Sequence, residues 1–274
     1  MKIVRIEGGV GVLTDAGVID VTAAVDSLDA LLTGGAEALA KVKAAASSGM
    51  AKSGVKLLAP VASHPRIFGI GLNYAEHATE SKMKTQAVPT VFMKLASSIC
   101  GPEDEIILPK NSTEPDYEAE LAVVIGKGGF RIAAADWQSH VFGYTIVNDV
   151  SARDVQLATS QWTLGKSFPT FTPVGPCVVT ADEITDPHAL EIALSIDGEE
   201  LQHSNTRHLI FRVPALIEYL SSIVPLEPGD IISTGTPQGV GLGRDPKRWL
   251  KPNEEIVITI EGIGDLRNRT RAEA

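Results

Sequence analysis

The sequence predicts an α+β, β-rich fold, a mixed β-roll or sandwich with helices at its periphery. Two observations predict it. Short β-like runs recur from residue 66 onwards, at 66–71, 89–95, 105–109, 116–126, 141–148, 173–180, 190–197, 230–234 and 255–261, between loops rich in Gly, Pro, Asn and Asp. Helical patterns are fewer, at about 74–83, 133–139, 150–160 and 213–223, and they do not alternate with the runs. A doubly wound parallel sheet needs that alternation and is disfavoured.

Taken in order, residues 1–22 read as short strands broken by Gly8-Gly9 and Asp15-Ala16-Gly17, a meander pattern. Residues 26–48 are rich in Ala, Leu and Lys, with Leu28, Leu31 and Leu32 near helical spacing. Gly34-Gly35 interrupts them, so two short helices are expected. Gly54, Pro60 and Pro65 mark residues 49–65 as a linker. The expected division is a small N-terminal α+β unit, 1–60, and a larger domain, 61–274.

The chain has 274 residues, 44% of them hydrophobic, enough for a sizeable core. Its net charge of −10 and the lack of a Lys/Arg run argue against nucleic acid and anionic membrane as partners. Cys100 and Cys177 are far apart and suggest neither a disulfide framework nor a zinc site. No run of 18 apolar residues occurs and Met1–Glu7 alternates, so a soluble, cytoplasmic protein is expected.

The most informative residues are Glu118 and Glu120, in a run that otherwise reads as a buried strand, Asp116-Tyr117-Glu118-Ala119-Glu120-Leu121-Ala122-Val123. Residues i and i+2 of a strand share a face, so two carboxylates stand side by side. A hard divalent cation relieves such a pair. Alone, the pair fits a half-exposed edge strand with two solvated Glu side chains better. Asp149 ends the strand Phe142–Asn148 and offers a third oxygen ligand, with a helix N-cap as the equal alternative.

Three further segments carry candidate chemistry. In Gly71-Leu72-Asn73-Tyr74-Ala75-Glu76-His77-Ala78-Thr79-Glu80, Asn73 is a plausible cap, and His77 and Glu80 share a helical face. Such a pair can act as a base on water, or can be a surface His near a surface Glu. Lys166 sits among Gly165, Ser167 and Phe168, placed to hold negative charge on oxygen or simply to snorkel. Thr234-Gly235-Thr236-Pro237-Gln238-Gly239-Val240-Gly241 is an anion nest for a substrate carboxylate or a plain connection.

These segments occur together, in order, and the chain resembles the fumarylacetoacetate hydrolase family over residues 60–270. The matching motifs are Gly71–His77, Asp116–Gly126, Asn148–Asp154, Gly165–Phe168 and Thr234–Pro237. The text is similar to the shorter members, the fumarylacetoacetate hydrolase domain-containing proteins, with a small N-terminal domain added. The resemblance implies a mixed β-roll of the fumarylacetoacetase C-terminal type, commonly a homodimer. It implies Mg²⁺, Mn²⁺ or Ca²⁺ held by Glu118, Glu120 and Asp149. It implies catalytic roles for His77, Glu80 and Lys166, and substrate-binding positions at Asn73, Tyr74, Arg153, Gln156 and Thr236. One departure matters. The longer enzymes place a fourth carboxylate ligand upstream of the catalytic His, where this chain has the neutral Asn73.

The expected activity is C–C bond hydrolysis in a small-molecule 1,3-diketo acid or acylpyruvate, as in aromatic catabolism, through an enolate held at the metal. Oxaloacetate-type decarboxylation and keto–enol isomerisation of a 2-oxo acid use the same site. A non-catalytic metal-binding protein is the alternative of another class, against which His77, Glu80 and Lys166 together speak.

Overall fold

The structure is a computed structural model that describes residues 1–75 and 86–274. Its strands are β1 (Lys2–Ile6), β2 (Gly9–Thr14), β3 (Gly17–Asp20), β4 (Ile67–Gly71), β5 (Thr90–Lys94), β6 (Glu105–Leu108), β7 (Ala119–Ile125), β8 (Val141–Asn148), β9 (Thr172–Thr180), β10 (Glu191–Ile196), β11 (Glu199–Asn205), β12 (Ile231–Ser233), β13 (Glu255–Ile260) and β14 (Gly264–Ala272). Two-residue pairings supplement them. The described α-helices are α1 (Leu28–Ser48), α2 (Arg153–Gln156) and α3 (Val213–Ile223).

A large mixed sheet runs β3-β2-β1-β9-β8-β7-β12-β4-β5, with Ala51–Lys52 outside β3. β12 and β4 pair in parallel, whereas β7 and β8 are antiparallel. A second sheet runs β11-β10-β13-β14-β6, with β14 and β6 parallel. The α+β, sheet-rich class is as the strand pattern predicts. Through β1 pairing with β9, the N-terminal strands join the same sheet as the rest of the chain.

Every residue of β7 is buried, because both faces of the sheet are covered. Leu121, Val123 and Ile125 enter the main core, which reaches Ile192, Leu194, Ile256 and Ile258 of the second sheet. Val124 faces the opposite way, in the core that Leu28, Leu31 and Leu32 of α1 supply. Alternation therefore puts Glu120 on the Ala122/Val124 face.

The two helices expected in 26–48 are present: Gly35 takes φ 54°, ψ −134°, a non-helical kink that divides α1. That left-handed φ is cheap for glycine. The helix expected over 150–160 shrinks to the four residues of α2. The chain turns back there to bring Gly165 against Gln156, and the Ala152 N–H donates to the Gly165 carbonyl at 2.8 Å. Residues 134–140 form a 3₁₀ helix rather than an α-helix. The helix expected over 74–83 falls largely within 76–85, outside the described residues.

Candidate active site

The site forms where β7 begins and β8 ends. Ala119 pairs with Asn148 and Glu120 with Val147. One step further, the Asp149 N–H donates to the Glu118 carbonyl at 2.9 Å, and the Glu118 N–H donates to Asn148 Oδ1 at 3.1 Å. The ladder thus sets Asp149 beside Glu118, and strand alternation sets Glu120 beside both. One carboxylate oxygen from each lies within 4.8 Å of the other two, and all three residues are buried. Asp149 caps no helix: α2 follows Ala152, without a side-chain cap.

Buried like charges demand compensation. The Lys166 ammonium donates to Glu118 Oε2 and Asp149 Oδ2, both at 2.7 Å. Lys94 donates to Asp149 Oδ1 at 2.5 Å and to the Phe171 carbonyl at 2.9 Å. Arg153 reaches Glu118 Oε1 at 2.6 Å and, through Nε, Asp116 Oδ2 at 2.9 Å. Anions and cations alternate from Lys94 through Asp149, Lys166, Glu118 and Arg153 to Asp116.

Glu120 is outside that chain of pairs. Its Oε2 accepts from the Ser233 hydroxyl at 2.6 Å and the Gly235 N–H at 2.9 Å. Among the described residues no cation pairs with it and no hydrogen bond reaches Oε1. Burial, and then the charges of Asp149 and Glu118, push its carboxyl well above the usual range. Burial also lowers Lys94, outweighing the pull of Asp149. Burial opposes the Lys166 charge too, but Asp149 and Glu118 prevail and raise it.

A hard divalent cation fits this donor set. Three carboxyl groups supply oxygen only, and among the described residues Glu120 has no cationic partner and keeps one oxygen without a donor. Glu118, Glu120 and Asp149 would hold the ion.

The cleft beside the carboxylates is lined by Glu118, Glu120, Arg153, Gln156, Lys166 and Thr236 on its polar side. Phe92, Trp162, Leu157 and Leu242 supply an apolar wall. The Phe92 and Trp162 rings lie 5.6 Å apart, and the Lys166 ammonium stands 5.0 Å from the Phe92 ring centroid. Lys166 does not snorkel, being 2% exposed.

Other predicted residues sit as follows. The Arg153 guanidinium is committed to Asp116, Glu118 and Gln156 Oε1, the last at 2.9 Å. Asn73 is fully buried and ties the chain after β4 to distant loops: Nδ2 donates to the carbonyls of Thr234 (2.7 Å) and Phe211 (2.9 Å), and Oδ1 accepts from the Phe211 N–H (2.7 Å). Tyr74, also buried, bridges to Leu209. Neither lines the cleft. His77 and Glu80 lie outside the described residues.

The 234–241 loop does hold anions, but they are the protein's own. Gly235 serves Glu120, and the N–H groups of Gly241 and Leu242 donate to Asp116 at 2.7 and 3.0 Å. The Gly235 and Gly241 N–H groups, engaged by Glu120 and Asp116, are therefore not open to a substrate carboxylate. Sequence reasoning missed Lys94, Asp116 and Ser233. For Lys94 a signal existed, since a Lys two residues after Phe92 in a strand shares its face.

Residues 66–271 match the family description "Fumarylacetoacetate (FAA) hydrolase C-terminal". A mitochondrial oxaloacetate tautomerase of Bos taurus is 47% identical over 220 residues, 80% of this chain and 70% of that protein. Among solved structures, a maleylpyruvate hydrolase from Sphingobium sp. SYK-6, in complex with manganese(II) ion and pyruvate, is 30% identical with a TM-score of 0.87, covering 100% of both chains. A 2-hydroxyhepta-2,4-diene-1,7-dioate isomerase from Mycobacterium marinum is 38% identical with a TM-score of 0.72, over 82% of this chain and 81% of that one.

Proposed function

The chain belongs to the fumarylacetoacetate hydrolase family, whose members are enzymes, and on that footing we propose that it is a Mg²⁺- or Mn²⁺-dependent tautomerase of a small 2-oxo acid of the oxaloacetate type. One observation carries the proposal: Glu118 and Glu120, which form a buried cluster with Asp149, line the same cleft as Lys166 and Thr236. With a divalent cation held by the carboxylates, such a site would favour an enolate, because the cation and the Lys166 ammonium would offset the negative charge that carbonyl oxygen gains.

A bound divalent ion supplies Lewis acidity towards the oxygens of the oxo acid. The remaining work falls to side chains. The Lys166 ammonium, kept charged by Asp149 and Glu118, faces oxygen that becomes negative. The Thr236 hydroxyl offers a neutral hydrogen bond. Arg153 holds Glu118 in place against Asp116 and leaves substrate contact to its neighbours. Phe92 and Trp162 keep one side of the cleft apolar and exclude water. His77, oriented by Glu80, is proposed to carry the proton to and from carbon.

Hydrolysis of a C–C bond in an acylpyruvate or other 1,3-diketo acid is the second reading. The family resemblance put it first, but the tautomerase relative is the more similar in sequence. The hydrolase neighbour with manganese and pyruvate supports keeping it. Decarboxylation of oxaloacetate would use the same groups. The proposal includes a homodimer in the cytoplasm, with residues 1–60 as a small unit beside the catalytic 61–274. Among the described residues no helix is long and apolar enough to cross a membrane.

The test is purified protein with Mg²⁺ against enol-oxaloacetate, followed by ultraviolet absorbance, and against acetylpyruvate and fumarylpyruvate, followed by chromatography of the cleavage products. Accelerated ketonisation without cleavage is expected. Cleavage with no effect on oxaloacetate would install the second reading, and inactivity on all three would sink both.

A further inference from the structure

We infer that Gln202 is a positioning residue, which fixes the Thr236 hydroxyl as a hydrogen-bond donor towards a substrate oxygen. The inference rests on the cleft being the substrate site. Gln202 lies in β11, on the sheet that does not carry the carboxylates, and is 1% exposed. Its amide has three partners. Oε1 accepts from the Ala119 N–H at 2.9 Å. Nε2 donates to the Pro237 carbonyl at 2.9 Å and to Thr236 Oγ1 at 2.9 Å.

The orientation of this amide is not negotiable. A backbone N–H only donates and a backbone carbonyl only accepts. Rotating the amide by half a turn would oppose Nε2 to the Ala119 N–H and Oε1 to the Pro237 carbonyl, breaking both bonds at buried positions. Nε2 therefore always presents a proton to Thr236. The Thr236 oxygen is held as an acceptor, and its own proton must go elsewhere. Among the described residues none accepts it, although Thr236 is only 2% exposed. The side it does open on is the cleft, beside Lys166 and Gln156. The hydroxyl thus meets an acceptor oxygen of the ligand, the chemistry of a carboxylate or an enolate.

The same amide sets distance as well as polarity. Ala119 lies between Glu118 and Glu120, so Gln202 bonds the carboxylate strand at one end and the Thr236 loop at the other. A ligand oxygen at the carboxylate cluster and another at Thr236 are measured against one rigid side chain.

The experiment compares Gln202→Glu, Thr236→Val, the double variant and Thr236→Ser. Oxalate and pyruvate binding are measured by calorimetry with saturating Mg²⁺, with kcat and KM for enol-oxaloacetate alongside. A glutamate at position 202 keeps the size and the bond to Ala119 but only accepts, so the Thr236 proton turns to it and away from the cleft. Gln202→Glu and Thr236→Val should each weaken oxalate by about tenfold or more, the scale of one hydrogen bond to a charged acceptor. The double variant should be no weaker than Thr236→Val alone, and Thr236→Ser should bind like the parent. Oxalate affinity unchanged in Thr236→Val, or losses that multiply in the double variant, would overturn the role. Thr236→Val decides the matter even if Gln202→Glu does not fold. Oxalate responses as expected without turnover of oxaloacetate would strike the proposed reaction and leave the positioning role standing.

Discussion

The Asp149 N–H donates to the Glu118 carbonyl at 2.9 Å, so the last bond of the β7–β8 ladder lies under the two carboxylates that share Lys166. The spacing of the site is therefore a property of the sheet rather than of a loop. A ladder bond buried between covered faces keeps its geometry without a ligand.

Two ligand substitutions should separate metal binding from folding. Asp149→Asn leaves Lys94 and Lys166 buried with one carboxylate fewer, and should cost about 3–5 kcal/mol of stability. Glu120→Gln removes a carboxylate that has no cationic partner among the described residues, and its amide oxygen can still accept from Ser233 and Gly235. It should leave metal-free stability unchanged or raised. Denaturant unfolding in EDTA checks both, and equal destabilisation by the two would contradict the charge pattern described above.

Gly71→Ala should disturb the cleft wall. A Cβ there would meet Trp162 Cζ3 at 2.4 Å. The ring would have to leave its place beside Phe92, with an overpacking cost of about 1–3 kcal/mol. KM should rise several-fold and the tryptophan emission should shift. An unchanged KM would show that Trp162 does not border bound substrate.

Stability should fall in mild acid through His188. Burial lowers this imidazole from its model-peptide value of 6.5, outweighing the pull of Asp186. Its Nε2 accepts from the Val213 N–H at 3.2 Å at the start of α3, so protonation removes an acceptor and adds charge at a helix N-terminus. The folded pKa lies below the unfolded one, so the contribution is complete above pH 6.5 and is lost as pH falls through the folded value. Gln at this position should flatten that part of the stability–pH curve. An identical curve for His188→Gln would contradict the assignment.

Legibility in the sequence followed the range of the physics. Glu118 and Glu120 could be paired by inspection because the two-residue period of a strand is local. α3 was bounded correctly at 213–223 because its apolar spacing and Pro214 are local too. Lys94 was not found, since its partner Asp149 is 55 positions away and the strand face shared with Phe92 was its one local mark. β11 was missed because Glu199-Glu200 and His203 mask its alternation, although Asp197-Gly198, both at positive φ, is a hairpin signal. The shortening of the 150–160 helix depends on Gly165 returning to Gln156, a contact no local propensity reports.

The most direct test of the central claim is the rate of enol-oxaloacetate ketonisation with Mg²⁺, for the parent protein and for Glu120→Gln, each repeated in EDTA. The account predicts rapid ketonisation by the parent, its loss in EDTA, and a rate for folded Glu120→Gln at the level of buffer in both conditions. Full activity of the parent in EDTA, or of Glu120→Gln with Mg²⁺, would contradict it.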